Sequence, residues 1–206
     1  IRSLTEENHL NVNNFVYPLF IMNGKNQKNE VKSMPDIYQF TIDKVMYEIE
    51  ELLKLNINKY MLFGIPKNKD QYGSDAISDK GIIQKSLYEI KNRFPESFLI
   101  TDLCMCEYTD HGHCGIIKNN ELDNDSTLEY LQKQAVSHAK FGTDMIAPSG
   151  MIDGAVKYIR HALDISDFKN LPIMSYSAKF ASNFYGPFRH AVDSAPQYGD
   201  RKSYQM

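Results

Sequence analysis

Five short runs rich in apolar, β-branched and aromatic residues recur along this 206-residue chain: "FVYPLFI" (15–21), "KYMLFGI" (59–65), "FLITDLC" (98–104), "DMIAPS" (144–149) and "PIMSYS" (172–177). Each is mostly apolar on both faces that alternate side chains present, as in strands covered on two sides. Between the runs the period changes from two to about 3.6. Residues 41–55 place Val45, Ile49, Leu52 and Leu53 on one helical stripe, and 79–93 do the same with Ile82, Ile83, Leu87 and Ile90. "STLE" has the form of a capping box, Ser126 bonding forward and Glu129 back, ahead of Leu128, Leu131, Ala135 and Ala139. A fourth helix, from about Asp153 to Leu163, carries Val156, Ile159 and Leu163. Strand alternating with helix predicts an α/β fold with a parallel sheet of βα units. No GxGxxG follows any strand, so a dinucleotide fold lacks its main signal.

A chain of this length can bury one substantial core, and 42% apolar with 24% charged residues is ordinary for a globular domain. A net charge of -3 gives no electrostatic case for nucleic acid or an anionic membrane. The sequence has no apolar run of transmembrane length and no signal-peptide pattern, which makes the cytoplasm the default location. The chain starts at Ile1 rather than Met, which reads as a processed or cut N-terminus. Convincing internal repeats and linkers are absent, and the tail from Asn183 is loop-like.

Unusual polar residues collect just after the strands, in "GIPKNKDQYGSDA", "CMCEYTDHGHC", "SGMIDG" and "AKFASNFYGPFR". A (β/α)8 barrel keeps its active site at that end of its strands. Only five strands are visible where a closed barrel needs eight, so an open sheet and a partial barrel both fit.

All three cysteines lie in "CMCEYTDHGHC", which argues against a secreted disulfide framework. Cys104 and Cys106, two apart at a strand end, can point to one side, and Cys114 can fold back after the turn-forming Asp110-His111-Gly112. Three converging thiolates suit Zn²⁺ and leave a fourth position open, as in catalytic sites; a ligating His111 or His113 would close it into a structural site. Free cysteines that happen to cluster satisfy the same spacing, because CxC…C is less specific than paired CxxC knuckles.

"MSYSAKFAS" puts Lys179 just past the fifth run, among small and apolar neighbours that would desolvate it, lower its pKa and free a nucleophilic amine. Arg189 and Arg201 could clamp a carboxylate by paired hydrogen bonds, with Ser175, Ser177, Tyr185 and Gln205 adding polar groups. A solvated lysine, and arginines paired with Asp193 or Asp200, fit as well. Met22, Met34 and Met61 read as core or gap-filling residues, His138 and His161 as surface or packed histidines, and "KNKD" (67–70) as a solvated loop.

Together, "NNFVYPLFI", "LFGIP", "TDLCMCEYTDHGHCG", "APSGMIDG", "MSYSAKFASNFYGPFRHA" and "SAPQYGDRKSYQM" closely resemble the porphobilinogen synthase (5-aminolevulinate dehydratase) family, over essentially the whole chain. The resemblance implies a (β/α)8 TIM barrel with about the first five βα units present, 1–206 forming a single partial catalytic domain that lacks the N-terminal arm and the last barrel strands. It implies a lyase of porphyrin and heme biosynthesis that condenses two 5-aminolevulinate molecules to porphobilinogen with loss of water. It further implies a catalytic zinc on Cys104, Cys106 and Cys114, Lys179 as one of two Schiff-base lysines, and Arg189 and Arg201 on a substrate carboxylate. Asp102, Ser149 and Tyr185 would line the site, Gln205 would lie near the same substrate, and His113 would stand behind the metal ligands. A homo-octamer or smaller homo-oligomer is implied, magnesium elsewhere in the protein is left open, and no nucleic-acid or membrane partner is expected.

Two departures stand out. Gly150 occupies a position where many relatives have an acidic or amide residue, as in "APSDMMDG", and the family continues past "RKSYQM" into a second Schiff-base lysine and the remaining strands. The segment by itself is therefore expected to be inactive and poorly soluble, with an unpaired strand edge and half a pocket. The competing expectations are a class I aldolase-type lysine-imine lyase, which needs no cysteine site, and a non-enzymatic zinc-binding protein, which leaves Lys179 and the arginines without purpose.

Overall fold

Alternation of side chains across extended runs builds the sheet at the centre of the computed structural model, which describes residues 1–206. In chain order the elements are β1 (Tyr17–Met22), β2 (Lys28–Glu30), β3 (Tyr38–Thr41), α1 (Ile42–Lys54), β4 (Lys59–Ile65), α2 (Ile82–Arg93) and β5 (Phe98–Leu103). They continue with β6 (Ile117–Lys118), β7 (Glu121–Leu122), α3 (Asn124–Lys140), β8 (Met145–Pro148), α4 (Ala155–Ile165) and α5 (Gly186–Ala191). Six strands form one sheet in the order β2-β3-β1-β4-β5-β8. All neighbours are parallel except β2, which runs antiparallel to β3. The β6–β7 hairpin stands apart, its Asn119-Asn120 turn taking the positive φ angles that asparagine tolerates.

Register divides the residues between two faces. Leu19, Ile21, Tyr60, Leu62 and Leu99 point toward α1 and α2 and join Val45, Ile49, Ile83, Leu87 and Ile90 in the largest core cluster. Burying Val45, Met46, Ile49 and Leu52 gives α1 its main hold on the sheet, at most about 1.5–3 kcal/mol per side chain. Leu103 and Ile146 pack under α3 and α4. On the other face Phe20, Met22, Phe63 and Ile65 meet Val31, Ala191 and Val192, and the Phe63 ring stands edge-on to Phe188 at 5.1 Å between centroids. Asp102 shares this second face and a direction with the residues that follow β5.

Four of the five expected strands and all four expected helices form, with instructive differences. "PIMSYS" is not a buried strand: it follows β8 through Ile146 N–H to the Pro172 carbonyl (3.0 Å) and Met174 N–H to the Ile146 carbonyl (2.8 Å), but only Ile173 forms a bridge. Its outer edge has no partner and its residues are exposed or half-buried. The capping box does not form either. Asp123 caps α3, accepting the Ser126 N–H at 3.0 Å, while the Ser126 hydroxyl meets Lys118. Helix α2 starts at Ile82, three residues inside the expected range, where the Asp75 carboxylate takes its first N–H at 3.0 Å. Val156 leaves its stripe and lies exposed on α4. Met22 is buried, and Met34 and Met61 pack partly buried against the same cluster, as gap-fillers do. No helix is long and apolar enough to cross a membrane.

Candidate active site

Strand β5 ends at Leu103, so a turn rather than strand alternation brings the first two cysteines together. Tyr108 and Thr109 N–H both donate to the Met105 carbonyl, at 2.9 and 3.0 Å, and the Cys104 and Cys106 sulfurs lie 3.4 Å apart. Cys114 returns to complete a trio whose Sγ atoms all lie within 4.8 Å of one another, each residue buried and free of disulfides. Thiol hydrogen bonds from Cys104 and Cys114 hold the Cys106 thiol well below its ordinary value, helped by Arg201 and Lys179, while that of Cys104 is pushed up. A cluster in which one thiolate is already favoured and the others are aimed at the same point fits a soft divalent metal.

Neither histidine of the loop joins the sulfur trio, and the ring nitrogens of both have other partners. His113 sets Nε2 3.0 Å from the Tyr198 carbonyl and Nδ1 2.9 Å from the Tyr204 hydroxyl. Since a carbonyl only accepts, Nε2 carries the proton and Nδ1 accepts from the tyrosine. His111 likewise directs Nε2 to the Gln71 carbonyl at 3.3 Å and Nδ1 to the His113 N–H at 3.1 Å. Both imidazoles brace the loop.

Asp102 and Ser149 stand at the ends of the adjacent strands β5 and β8, both buried. Burial pushes the Asp102 carboxyl up to about 7 against the pull of Lys179 and a hydrogen bond from Ser149. Lys179 is itself buried, 4% exposed, in the chain beyond "PIMSYS". Its N–H donates to Met151 Sδ at 3.2 Å, and its Nζ lies 5.2 Å from the Tyr185 ring centroid and 5.8 Å from that of Tyr176. The expected fall in its pKa is overturned: burial lowers it, but the three thiols and Asp102 outweigh burial and hold the ammonium above its ordinary value. Gln205 is buried with Nε2 3.8 Å from Cys114 Sγ. Ser175 and Ser177 are exposed beside Gly150 in a separate cavity of about 290 Å³, where a side chain at 150 would meet only Ile152 at 3.5 Å.

Arg189 and Arg201 line one cavity of about 210 Å³ together with Ser182 and Lys202. Neither pairs with a carboxylate, and each has a buried Nε that no protein group accepts from. Arg201 Nη2 is committed to the Gly112 and Ser194 carbonyls at 2.8 and 2.7 Å, and its Nε–H is left without a protein acceptor.

Three residues escaped the sequence reading. Glu107 is fully buried with neither carboxyl oxygen hydrogen-bonded to protein, and burial next to Asp102 and Cys106 pushes it well above the ordinary carboxylate range. Its signal was a lone acid amid cysteine, methionine and tyrosine. The "KNKD" loop is not solvated throughout. Lys69 is half-buried on main-chain carbonyls, and Asp70 forms a parallel bridge to Thr109 and takes the Tyr72 and Ser74 N–H groups. His138 is a packed histidine, and His161 lies exposed on α4.

The profile of the family described as delta-aminolevulinic acid dehydratase matches residues 1–206. The delta-aminolevulinic acid dehydratase of Bacillus subtilis (strain 168) is 50% identical over 206 residues, covering 100% of this chain and 64% of that protein. That of Archaeoglobus fulgidus is 48% identical with the same coverage. That of Ruminiclostridium josui is 49% identical over 192 residues, 93% of this chain and 94% of that protein. Among solved structures, the crystal structure of delta-aminolevulinic acid dehydratase (porphobilinogen synthase) from Toxoplasma gondii ME49 in complex with the reaction product porphobilinogen superposes with a TM-score of 0.96. Its identity is 33%, over 100% of this chain and 59% of that one. This chain thus spans 64% of the length of the first two relatives. Its parallel sheet and outer helices are part of the (β/α)8 barrel of that fold. A profile matched from end to end, with relatives near 50% identity, places the chain in the delta-aminolevulinic acid dehydratase family.

Proposed function

We propose that the protein carrying this chain is a porphobilinogen synthase, a lyase that condenses two molecules of 5-aminolevulinate with loss of water. The observation that carries this reading is the burial of Lys179 in the field of the cysteine trio and Asp102, all at one end of the parallel sheet. Lys179 is the nucleophile: held as the ammonium at rest, it first gives up a proton, for which Asp102 is the nearby acceptor, and the free amine then attacks the ketone of one substrate and releases water to form an imine, a better electrophile than the ketone. Asp102, at the edge of ionisation near neutral pH, is placed to take or return protons close to Lys179. Arg189 and Arg201 bind a substrate carboxylate in their shared cavity, and Tyr185, beside Lys179, with the buried Ser149 and Gln205, complete the substrate-binding residues of this reading. Cys104, Cys106 and Cys114 would hold a zinc ion, which supplies Lewis-acid polarisation of a substrate oxygen or amine when bound. Holding two identical substrates in a fixed relation supplies much of the rate. The working enzyme is proposed to be a cytoplasmic homo-oligomer. An aldolase-type site would leave the buried cysteines idle, and a purely structural metal site would leave Lys179 idle.

Borohydride trapping tests the reading. A chain of the relatives' full length is incubated with 5-aminolevulinate, reduced and digested, and the adduct is mapped by mass spectrometry. A reduced adduct at Lys179 or at a lysine downstream of Met206 is expected, and absence of label at both refutes the imine mechanism.

A further inference from the structure

We infer that Lys69 is a positioning residue that clamps the end of α5, and with it Arg189, against the loop following β4. The inference rests on the proposed reading for the identity of the substrate.

Helix α5 ends at Ala191, and a helix end leaves its last carbonyls without partners of its own. Here four successive carbonyls each accept from a side chain delivered by another part of the molecule. Gln39 Nε2 on β3 reaches the Ala191 carbonyl at 2.8 Å. Lys69 Nζ reaches the Val192 and Asp193 carbonyls at 3.3 and 2.6 Å. Arg201 Nη2 takes the Ser194 carbonyl at 2.7 Å. A left-handed Asp193, φ 51°, turns the chain so that these carbonyls fan out toward their donors. Lys69 is the one member that spans two of the four, and it is tied to no carboxylate, so its charge is spent on the helix end. It springs from the connection 66–81 that follows β4, whereas the carbonyls it takes lie 123 and 124 residues further on. The lysine therefore fixes the height of α5 above the sheet. That height sets the separation of the Arg189 and Arg201 guanidinium groups in their common cavity.

The test replaces Lys69 in a chain of the relatives' full length. Lys69→Met keeps the aliphatic bulk and removes both charge-assisted hydrogen bonds, whereas Lys69→Arg keeps a donor. The amides of 189–194 should exchange about tenfold faster in Lys69→Met, and KM for 5-aminolevulinate should rise about tenfold with kcat within about threefold. Lys69→Arg should recover most of the KM. Should Lys69→Met not fold, Lys69→Gln serves the same comparison. Unchanged exchange in 189–194 overturns the clamp, as does a fall in kcat at constant KM. An active wild-type enzyme whose KM is indifferent to Lys69→Met overturns the positioning role. If the wild-type protein does not turn over 5-aminolevulinate at all, the functional reading fails while amide exchange still decides on the clamp.

Discussion

Gly64 on β4 should be among the least replaceable residues outside the active site, because the cysteine loop is anchored through it. A Cβ added there would lie 2.7 Å from the Tyr108 hydroxyl, 2.8 Å from Ile83 Cγ1 and 2.9 Å from Ile82 Cγ2. Tyr108, 1% exposed, plunges from the cysteine loop between the sheet and α2, two residues after Cys106. Ile82 and Ile83, both buried, open α2. Nothing around Gly64 can move without shifting either that helix or that loop. Overpacking of this kind costs about 1–3 kcal/mol. With three contacts too close at once we take about 2 kcal/mol, which for a domain of this size corresponds to a fall in Tm of about 4–8 °C.

The nearest of the three atoms supplies the control. The Tyr108 hydroxyl is buried and no protein group bonds to it, so Tyr108→Phe removes the closest contact and a polar group whose burial costs roughly 1–3 kcal/mol. Tyr108→Phe alone should be neutral or stabilising. Combined with Gly64→Ala it should recover about 1 kcal/mol relative to the sum of the single changes, as contacting residues do. Thermal unfolding followed by circular dichroism, with zinc stoichiometry measured alongside, reads all four proteins. Gly64→Ala should also bind zinc less tightly, since the displaced Tyr108 drags Cys106 with it. A Gly64→Ala protein that melts within about 1 °C of wild type, or a strictly additive double variant, would refute the reasoning.

Two further outcomes follow from the same geometry. Cys106→Ala removes the thiol toward which its two neighbours donate, so zinc affinity should fall by more than the roughly 10–100-fold that loss of an outer partner costs; unchanged zinc in dialysed protein would contradict the assigned trio. His138 is buried, its pKa drawn down to about 3 by burial, so the unfolded chain takes up a proton near pH 6.5 that the folded chain refuses. Its contribution is complete above pH 6.5 and is lost as pH falls toward 3, amounting to about 2 kcal/mol between pH 7 and pH 5. Denaturant titrations at the two pH values should show this loss in wild type and a smaller one in His138→Gln; equal losses would show that another group carries the dependence.

What could be seen in advance follows the range of the interactions. Strands β1, β4, β5 and β8 and the four long helices were legible because each is a local apolar pattern bounded by turn residues. Strand β3 was not: it has only four residues and runs directly into α1 with no turn between them, so that Thr41 reads as the start of the helix and residues 38–40 give no pattern of their own. The α3 cap was misassigned because Asp123 and Ser126 are both good capping residues, and Asp123 prevails by lying one residue before the first helical turn. "PIMSYS" has a strand's composition, but only Ile173 within it is bridged to β8, at Ile146. The cysteines and Lys179 were visible as chemistry. Their electrostatics were not: proximity of the thiols reverses the effect of burial on Lys179, and proximity is a property of the fold. Lys69 was lost for the same reason, since its partners lie more than 120 residues away.

The same long-range contacts explain why the cysteine loop and the arginine-bearing segment must form together. Arg201 donates to the Gly112 carbonyl, the Gln197 N–H to the His111 carbonyl at 3.0 Å, and Gln205 reaches Cys114. His113 is held on both nitrogens by Tyr198 and Tyr204, residues 85 and 91 positions later. Gly112, at φ 70°, approaches so closely that a Cβ would sit 2.4 Å from the Ala195 carbonyl oxygen, a backbone atom that cannot rotate aside. Neither segment has regular structure long enough to stand alone: residues 104–114 contain no strand or helix, and 180–206 contain a three-residue 3-10 turn followed by one α-helix of six residues. Each hydrogen bond is worth about 1 kcal/mol net, less than the cost of ordering the residues that make it. Only when all are made at once does the interface outweigh that cost, so the segments order as one cooperative unit. The cysteine trio and the arginine cavity are two faces of that unit. Disturbance of either is transmitted through Gly112, His113 and Arg201 to the other, which ties the geometry of the cysteine trio to that of the arginine cavity within a single folded element.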